Sequence, residues 1–185
     1  RHHLQIGQSY YQSKSYREQS AIKKASFFLK NDWSYNDDNS LKLILLYTDL
    51  HYETPGGLTK QQVEANPRQA RLATNTLGGS VDQNAGIYNK TILAGISHLW
   101  QLDKKWSQFT SLQSSFTDFE NPFISNYEFR KEDNFQGRIY LNFKNELSNI
   151  KLNSRIGFES GINSSQIENF DNIKGIKGEV QKLDD

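Results

Sequence analysis

Between Phe135 and Lys144 the chain changes character at every step. Phe135, Gly137, Ile139, Leu141 and Phe143 alternate with Gln136, Arg138, Tyr140, Asn142 and Lys144. After a short turn at 145–149 the pattern returns. Ile150, Leu152, Ile156, Phe158 and Ile162 now oppose Lys151, Asn153, Arg155, Glu159 and Asn163. A period of two sends successive side chains to opposite faces of a strand, whereas a helix needs a period near 3.6. These segments are therefore strands with one greasy face and one wet face. The fold must give the first face an apolar neighbour and the second face water.

Composition limits what that neighbour is. Hydrophobic residues make up 35% of the chain and aromatics 12%. A typical globular domain reaches roughly 45–50% apolar residues, counting Gly. The chain is too lean for a thick two-layer core, and too aromatic for disorder. No run of 18 apolar residues exists, so no transmembrane helix is present; the longest apolar run is Leu43 to Tyr47. A transmembrane barrel remains open, because its strands show lipid only every second side chain. Cysteine is absent, which removes disulfides, thiolate metal sites and cysteine nucleophiles. A formal net charge of +1 gives no case for a nucleic-acid partner.

Read in order, the sequence predicts strands over 3–13, from Phe27 to Tyr35, over 40–52, 86–102 and 105–118, and then the two above. Links at 36–39, 103–105 and 145–149 are short. Links at 14–21, 53–85, 119–131 and 164–185 are longer, and they hold all three prolines, Pro55, Pro67 and Pro122. The last of them reads as a polar loop. Proline cannot donate to a strand ladder, so its confinement there is consistent. Short links alternating with long ones match an outer-membrane barrel with plain periplasmic turns and elaborated extracellular loops. Trp33, Tyr35, Trp100 and Trp106 sit beside the short turns, where an interfacial aromatic girdle belongs.

The expected fold is all-β: an antiparallel transmembrane β-barrel, present in part. About seven strands of about 12–16 residues outrun the ~9–11 needed to cross hydrocarbon at a tilt. An odd number does not close an even-stranded barrel. Residues 1–185 thus read as one fragment of a larger barrel domain, with both ends as cuts. A soluble β-sandwich is the fold-level rival. It predicts extraction into buffer without detergent.

The long link has local order of its own. Lys60 to Ala65 suit a short helix, capped by Thr59 with Gln62 in the capping-box position. Asn66 ends it, because the following Pro67 disfavours helical backbone at that residue. Pro55-Gly56-Gly57 is a turn signature.

Two stretches carry a resemblance. Tyr52-Glu-Thr-Pro-Gly-Gly-Leu-Thr59, followed by Glu64-Ala-Asn-Pro-Arg68, resembles an extracellular loop of TonB-dependent siderophore receptors, particularly the ferric-citrate-type group. Tyr16-Arg-Glu-Gln-Ser20 is similar to a second loop of those receptors, with Ser15 and Gln19 as departures from its usual Gly and His. Two predicted strands separate the motifs, as in that family. The resemblance implies a barrel of about 22 strands, plugged by an N-terminal domain that bears a TonB box. It also implies a Gram-negative outer-membrane location, and import of a ferric siderophore or similar chelate with energy from the TonB complex. Plug and TonB box are not in this chain. The alternative is a passive porin or an adhesin-like barrel without TonB coupling.

Ferric chelates of citrate or catecholate are anionic, and an Arg fork matches carboxylate geometry. Arg68 and Arg71 are the main ligand candidates, with Arg17 and His51 behind them. The bland reading of Arg68 and Arg71 is a solvated loop paired with Glu64. Arg138, Lys144, Lys151, Arg155 and Glu159 share the wet face and would line the lumen, pairing across strands. No spacing of His, Asp and Glu imposes a metal site, and no cofactor is implied. No hydrolase, phosphate-loop or dinucleotide motif occurs. Ser97 and His98 are adjacent in a strand and face opposite sides, which counts against a catalytic dyad. The chain is read as a non-enzyme.

Overall fold

The computed structural model describes residues 1–184. Its strands are β1 (His2–Ser13), β2 (Ile22–Ser34), β3 (Ser40–Glu53), β4 (Gly86–Gln101), β5 (Trp106–Pro122), β6 (Tyr127–Leu147), β7 (Ile150–Ile173) and β8 (Ile176–Asp184); the helix α1 (Lys60–Ala65) lies between β3 and β4. All eight strands form one sheet in sequence order, each antiparallel to the next.

Large apolar residues remain exposed along one face, with Ile156 at 73%, Phe158 at 70% and Ile162 at 71% accessibility. Among the described residues the buried hydrophobic ones are Ala70, Ala85, Tyr127 and Phe170, none of them beneath that face's centre, and no second layer of those residues covers it. Register makes the face continuous. Leu29, Leu45, Ala94, Ser114, Phe135 and Ile162 follow one another across six strands, and Asn31, Leu43, Ile96, Leu112 and Gly137 form the next row.

The apolar band has two edges. At the short-turn end lie Trp33, Tyr35, His98, Trp100 and Trp106. Trp33 and Tyr35 rings are 5.6 Å apart, Tyr35 Oη lies 2.7 Å from His98 Nε2, and Trp106 leans on Phe143 at 4.7 Å. At the other end the same face meets a row of alternating sign: Asp49, Lys90, Asp118 and Lys131. From Lys90 to Trp100 is ten residues along β4. At ~3.3 Å per residue and a tilt of ~45° this projects to about 23 Å, near the ~25 Å band of outer-membrane barrels.

Two expected loops are strands. β5 continues to Pro122 and β6 begins at Tyr127, so the predicted link at 119–131 shrinks to 123–126, closed by the Phe123 N–H donating to the Asn126 carbonyl at 2.8 Å. Pro122 ends its strand, where the missing N–H costs least. Of the predicted loop at 164–185, residue 185 lies outside the described residues, and the rest is instead the far half of β7, a turn at Lys174-Gly175, and β8. Both turn residues have positive φ, 55° and 82°, as a two-residue hairpin turn requires. The missed segments lie beyond the charged row, outside the apolar band. Alternation is not enforced there, so the period-two signal fades. β6 and β7, at 21 and 24 residues, are correspondingly longer than expected. The end with the long loops therefore also has two tight crossings, and its elaboration comes partly from strands that rise past the apolar band.

Candidate functional site

The links at 14–21 and 54–85 fold together at the elaborated end. In the longer one, Thr59 Oγ1 accepts from the Gln62 N–H at 3.3 Å, and the Thr59 N–H donates to Gln62 Oε1 at 2.9 Å, completing the capping box. Asn66 caps the other end of α1, its N–H donating to the Gln62 carbonyl at 2.8 Å. The chain then turns back: the Arg71 N–H donates to the Pro55 carbonyl at 2.7 Å, and the Ser80 N–H to the Arg71 carbonyl at 2.9 Å. Gly56 sits in this fold at φ 71°. A Cβ there would lie 2.8 Å from both Arg71 Cβ and Ser80 Oγ. Only glycine meets both conditions, conformation and space.

The shorter link clasps the longer one. Arg17 donates from Nε and Nη2 to the Gln69 carbonyl at 3.2 and 2.9 Å, and from Nη2 to the Pro55 carbonyl at 3.5 Å. The Glu18 N–H donates to the Arg68 carbonyl at 2.8 Å, and Glu18 Oε2 accepts from the Ala70 N–H at 3.2 Å. Gln19 donates to the Ala85 carbonyl at 2.9 Å. The two motifs that stand about 50 residues apart in sequence are thus one hydrogen-bonded unit.

The four candidate residues divide. The Arg17 guanidinium is spent on backbone carbonyls and acts as a clasp. Arg68 is exposed, with its guanidinium 4.9 Å from the centre of the Tyr16 ring. Arg71 is half-buried, and its guanidinium has no hydrogen-bond or carboxylate partner among the described residues. Glu64 pairs with Lys60 at 3.9 Å, both well exposed, and not with either arginine. His51 lies elsewhere. It is on the face that carries Leu45 and Tyr47, and stacks on Tyr88 at 4.0 Å. Tyr16 was legible as part of a motif, but its place beneath Arg68 depends on the clasp.

The wet face is cross-linked. Arg138 and Glu159 are ladder partners joined by two hydrogen bonds of 2.9 and 2.8 Å. Arg155 Nε donates to Asn142 Oδ1 at 2.7 Å and its guanidinium lies 4.3 Å over Tyr140. Tyr140 in turn covers Gly157. At the rim of the outer end, Tyr127 donates to Glu120 Oε2 at 2.9 Å. Burial and that carboxylate together push its phenol pKa well upward, so it stays neutral.

A crystal structure of the ferric citrate transporter FecA in the unliganded form is similar over 98% of this chain, with a TM-score of 0.66 and 14% identity. The fold is a segment of a β-barrel. At that identity the likeness speaks to architecture alone. The chain spans 27% of the FecA chain. No protein-family profile matches the sequence, and no curated protein matches it.

Proposed function

We propose that this chain is part of the wall of a Gram-negative outer-membrane TonB-dependent receptor that imports a ferric siderophore or a related anionic iron chelate. Lipid covers the apolar face, and the clasped loops hold Arg68 and Arg71 for the incoming chelate. A plug domain outside these residues would couple the barrel to the TonB complex. The observation that carries the reading is the clasp. It unites the two receptor-like motifs and leaves the Arg71 guanidinium, and the outer surface of Arg68, free of carboxylate partners. An unpaired guanidinium on a rigid loop favours a carboxylate-bearing ligand, since little ordering remains to be done on binding.

The test is ferric citrate binding by calorimetry to the barrel protein in detergent, with Arg68→Ala and Arg71→Ala combined. Loss of two charge-assisted contacts, each about 1.5–3 kcal/mol, weakens binding by about a hundredfold or more. Unchanged affinity removes both residues from the site. Uptake of radiolabelled iron in cells without TonB separates the alternatives: abolished uptake supports the receptor, and persisting uptake supports a passive porin.

A further inference from the structure

The short-turn rim carries a basic cluster that the loop reading does not use. Lys104 and Lys105 in the β4–β5 turn, Lys144 on β6 and Lys151 on β7 border a recess of about 570 Å³, with Glu146 as the acid among them. The Lys144 N–H donates to the Lys105 carbonyl at 2.8 Å, which continues the register of Trp106 opposite Phe143. Lys105, the last residue of the turn, is therefore directly opposed to Lys144 on β6. Like charges in that position repel. None of the four ammonium groups lies within ion-pair reach of a carboxylate among the described residues. Of the two nearby acids, Glu146 is the ladder partner of Lys151 without an ion pair to it, and Asp103 is committed to its own turn: its Oδ1 accepts from the Lys105 and Trp106 N–H groups at 2.7 and 2.9 Å. Those two donors also hold its carboxyl below the usual carboxylate range.

The side of the sheet decides what such a cluster meets. Lys105, Lys144 and Lys151 share the parity of Asn142, Arg155 and Glu159, the wet face. A lipid headgroup would approach from the opposite face, past Trp106 and Phe143. The occupant is therefore a solute. Ammonium groups are compact point charges without the planar fork of arginine. Spread over neighbouring strands ~4.8 Å apart, they suit a ligand with several separated negative groups.

We propose that Lys105, Lys144 and Lys151, with Lys104 at the edge, form a second anion site that takes a small polycarboxylate at the end of the wall opposite the clasped loops. It rests on the reading of an anionic cargo and adds a station for that cargo on its way out. Occupancy relieves the repulsion between Lys105 and Lys144.

Calorimetry with tricarballylate, a metal-free tricarboxylate, tests this on the barrel protein in an uncharged detergent. Arg68→Ala and Arg71→Ala are present throughout, so that only the rim is read. Binding is expected, and K105Q/K144Q/K151Q weakens it at least tenfold; Lys90→Gln, on the lipid-facing row, leaves it unchanged. Tricarballylate also raises the thermal midpoint of the parent and not of the triple variant, which checks that the variant is folded. Absence of binding, equal binding by the triple variant, or binding of dihexanoyl phosphatidylglycerol in place of tricarballylate overturns the site. Failure of the protein that retains Arg68 and Arg71 to capture ferric citrate, with tricarballylate binding at the rim intact, overturns the cargo reading alone.

Discussion

Ala94→Arg isolates the solvent that bathes the apolar face. Ala94 is exposed on that face, between Leu45 on β3 and Ser114 on β5. Substitution there removes no packing and opens no cavity. It lies four residues from Lys90 and six from Trp100, so ~3.3 Å per residue and a ~45° tilt put it about 9 Å inside the charged row and about 14 Å from the girdle. That is close to the middle of the band. Arg at the midplane of an outer-membrane barrel costs about 2–4 kcal/mol, falling to about 0–1 near the interfaces. Ser115→Arg, one residue from Ser114's row but on the wet face opposite Leu93 and half-buried there, is expected to cost less than about 1 kcal/mol, because the long side chain carries its charge out into water on that face. Gln108→Arg, opposite Trp100, belongs to the interfacial class. Guanidinium unfolding in phospholipid vesicles, followed by tryptophan fluorescence and extrapolated linearly, measures all three. A loss near 3 kcal/mol shifts the folded-to-unfolded ratio by more than a hundredfold. Equal cost for Ala94→Arg and Ser115→Arg would mean that water reaches both faces, and the membrane reading would be wrong.

Two further outcomes follow from local geometry. Gly157→Ala is expected to cost about 1–3 kcal/mol, because the new Cβ meets Tyr140 and comes within 2.5 Å of the Ile139 carbonyl oxygen, which is backbone and cannot swing away; Gly161→Ala, whose nearest neighbour is the flexible Gln136 side chain, costs less, and the reverse order in vesicle unfolding contradicts this account. Arg17→Ala is expected to leave the barrel's unfolding midpoint unchanged while speeding limited proteolysis within 54–85, and Arg17→Lys fails to restore protection because one ammonium cannot reproduce the fork that spans the Gln69 and Pro55 carbonyls; unaltered cleavage rates refute the clasp.

The elements predicted well are those that cross the apolar band. β3 and β4 appear within a residue or so of their predicted ends: β4 alternates between an apolar and a polar face through most of its length, and the unbroken apolar run Leu43–Tyr47 of β3 is bounded by polar segments. The capping box around α1 was readable for a different reason: its two hydrogen bonds join residues three apart, so no tertiary information is needed. Reading failed where neither constraint applies. Residues 164–173 and 176–184 place Ile167, Phe170, Ile173, Ile176, Val180 and Leu183 without a period of two and still form strands, held by the ladder to their neighbours. Pro122 looked like a loop marker but ends a strand. Of the site, Arg68 and Arg71 were legible as cations beside a motif. That Arg17 bonds to carbonyls, or that His51 stacks on Tyr88 away from the loops, was not.

The order of side chains along each strand decides which face a residue occupies, because a strand's pleat is a local property of two consecutive peptides. Composition adds that one of those faces has no protein to lie against. Only the assembled sheet decides which residues stand side by side. Register turns scattered Asp and Lys into an alternating row, sets Lys105 against Lys144, and draws Arg17 onto Gln69. Those neighbours are chosen by hydrogen bonds between strands and loops far apart in the chain, and a slip of one residue would move each of them to the other side.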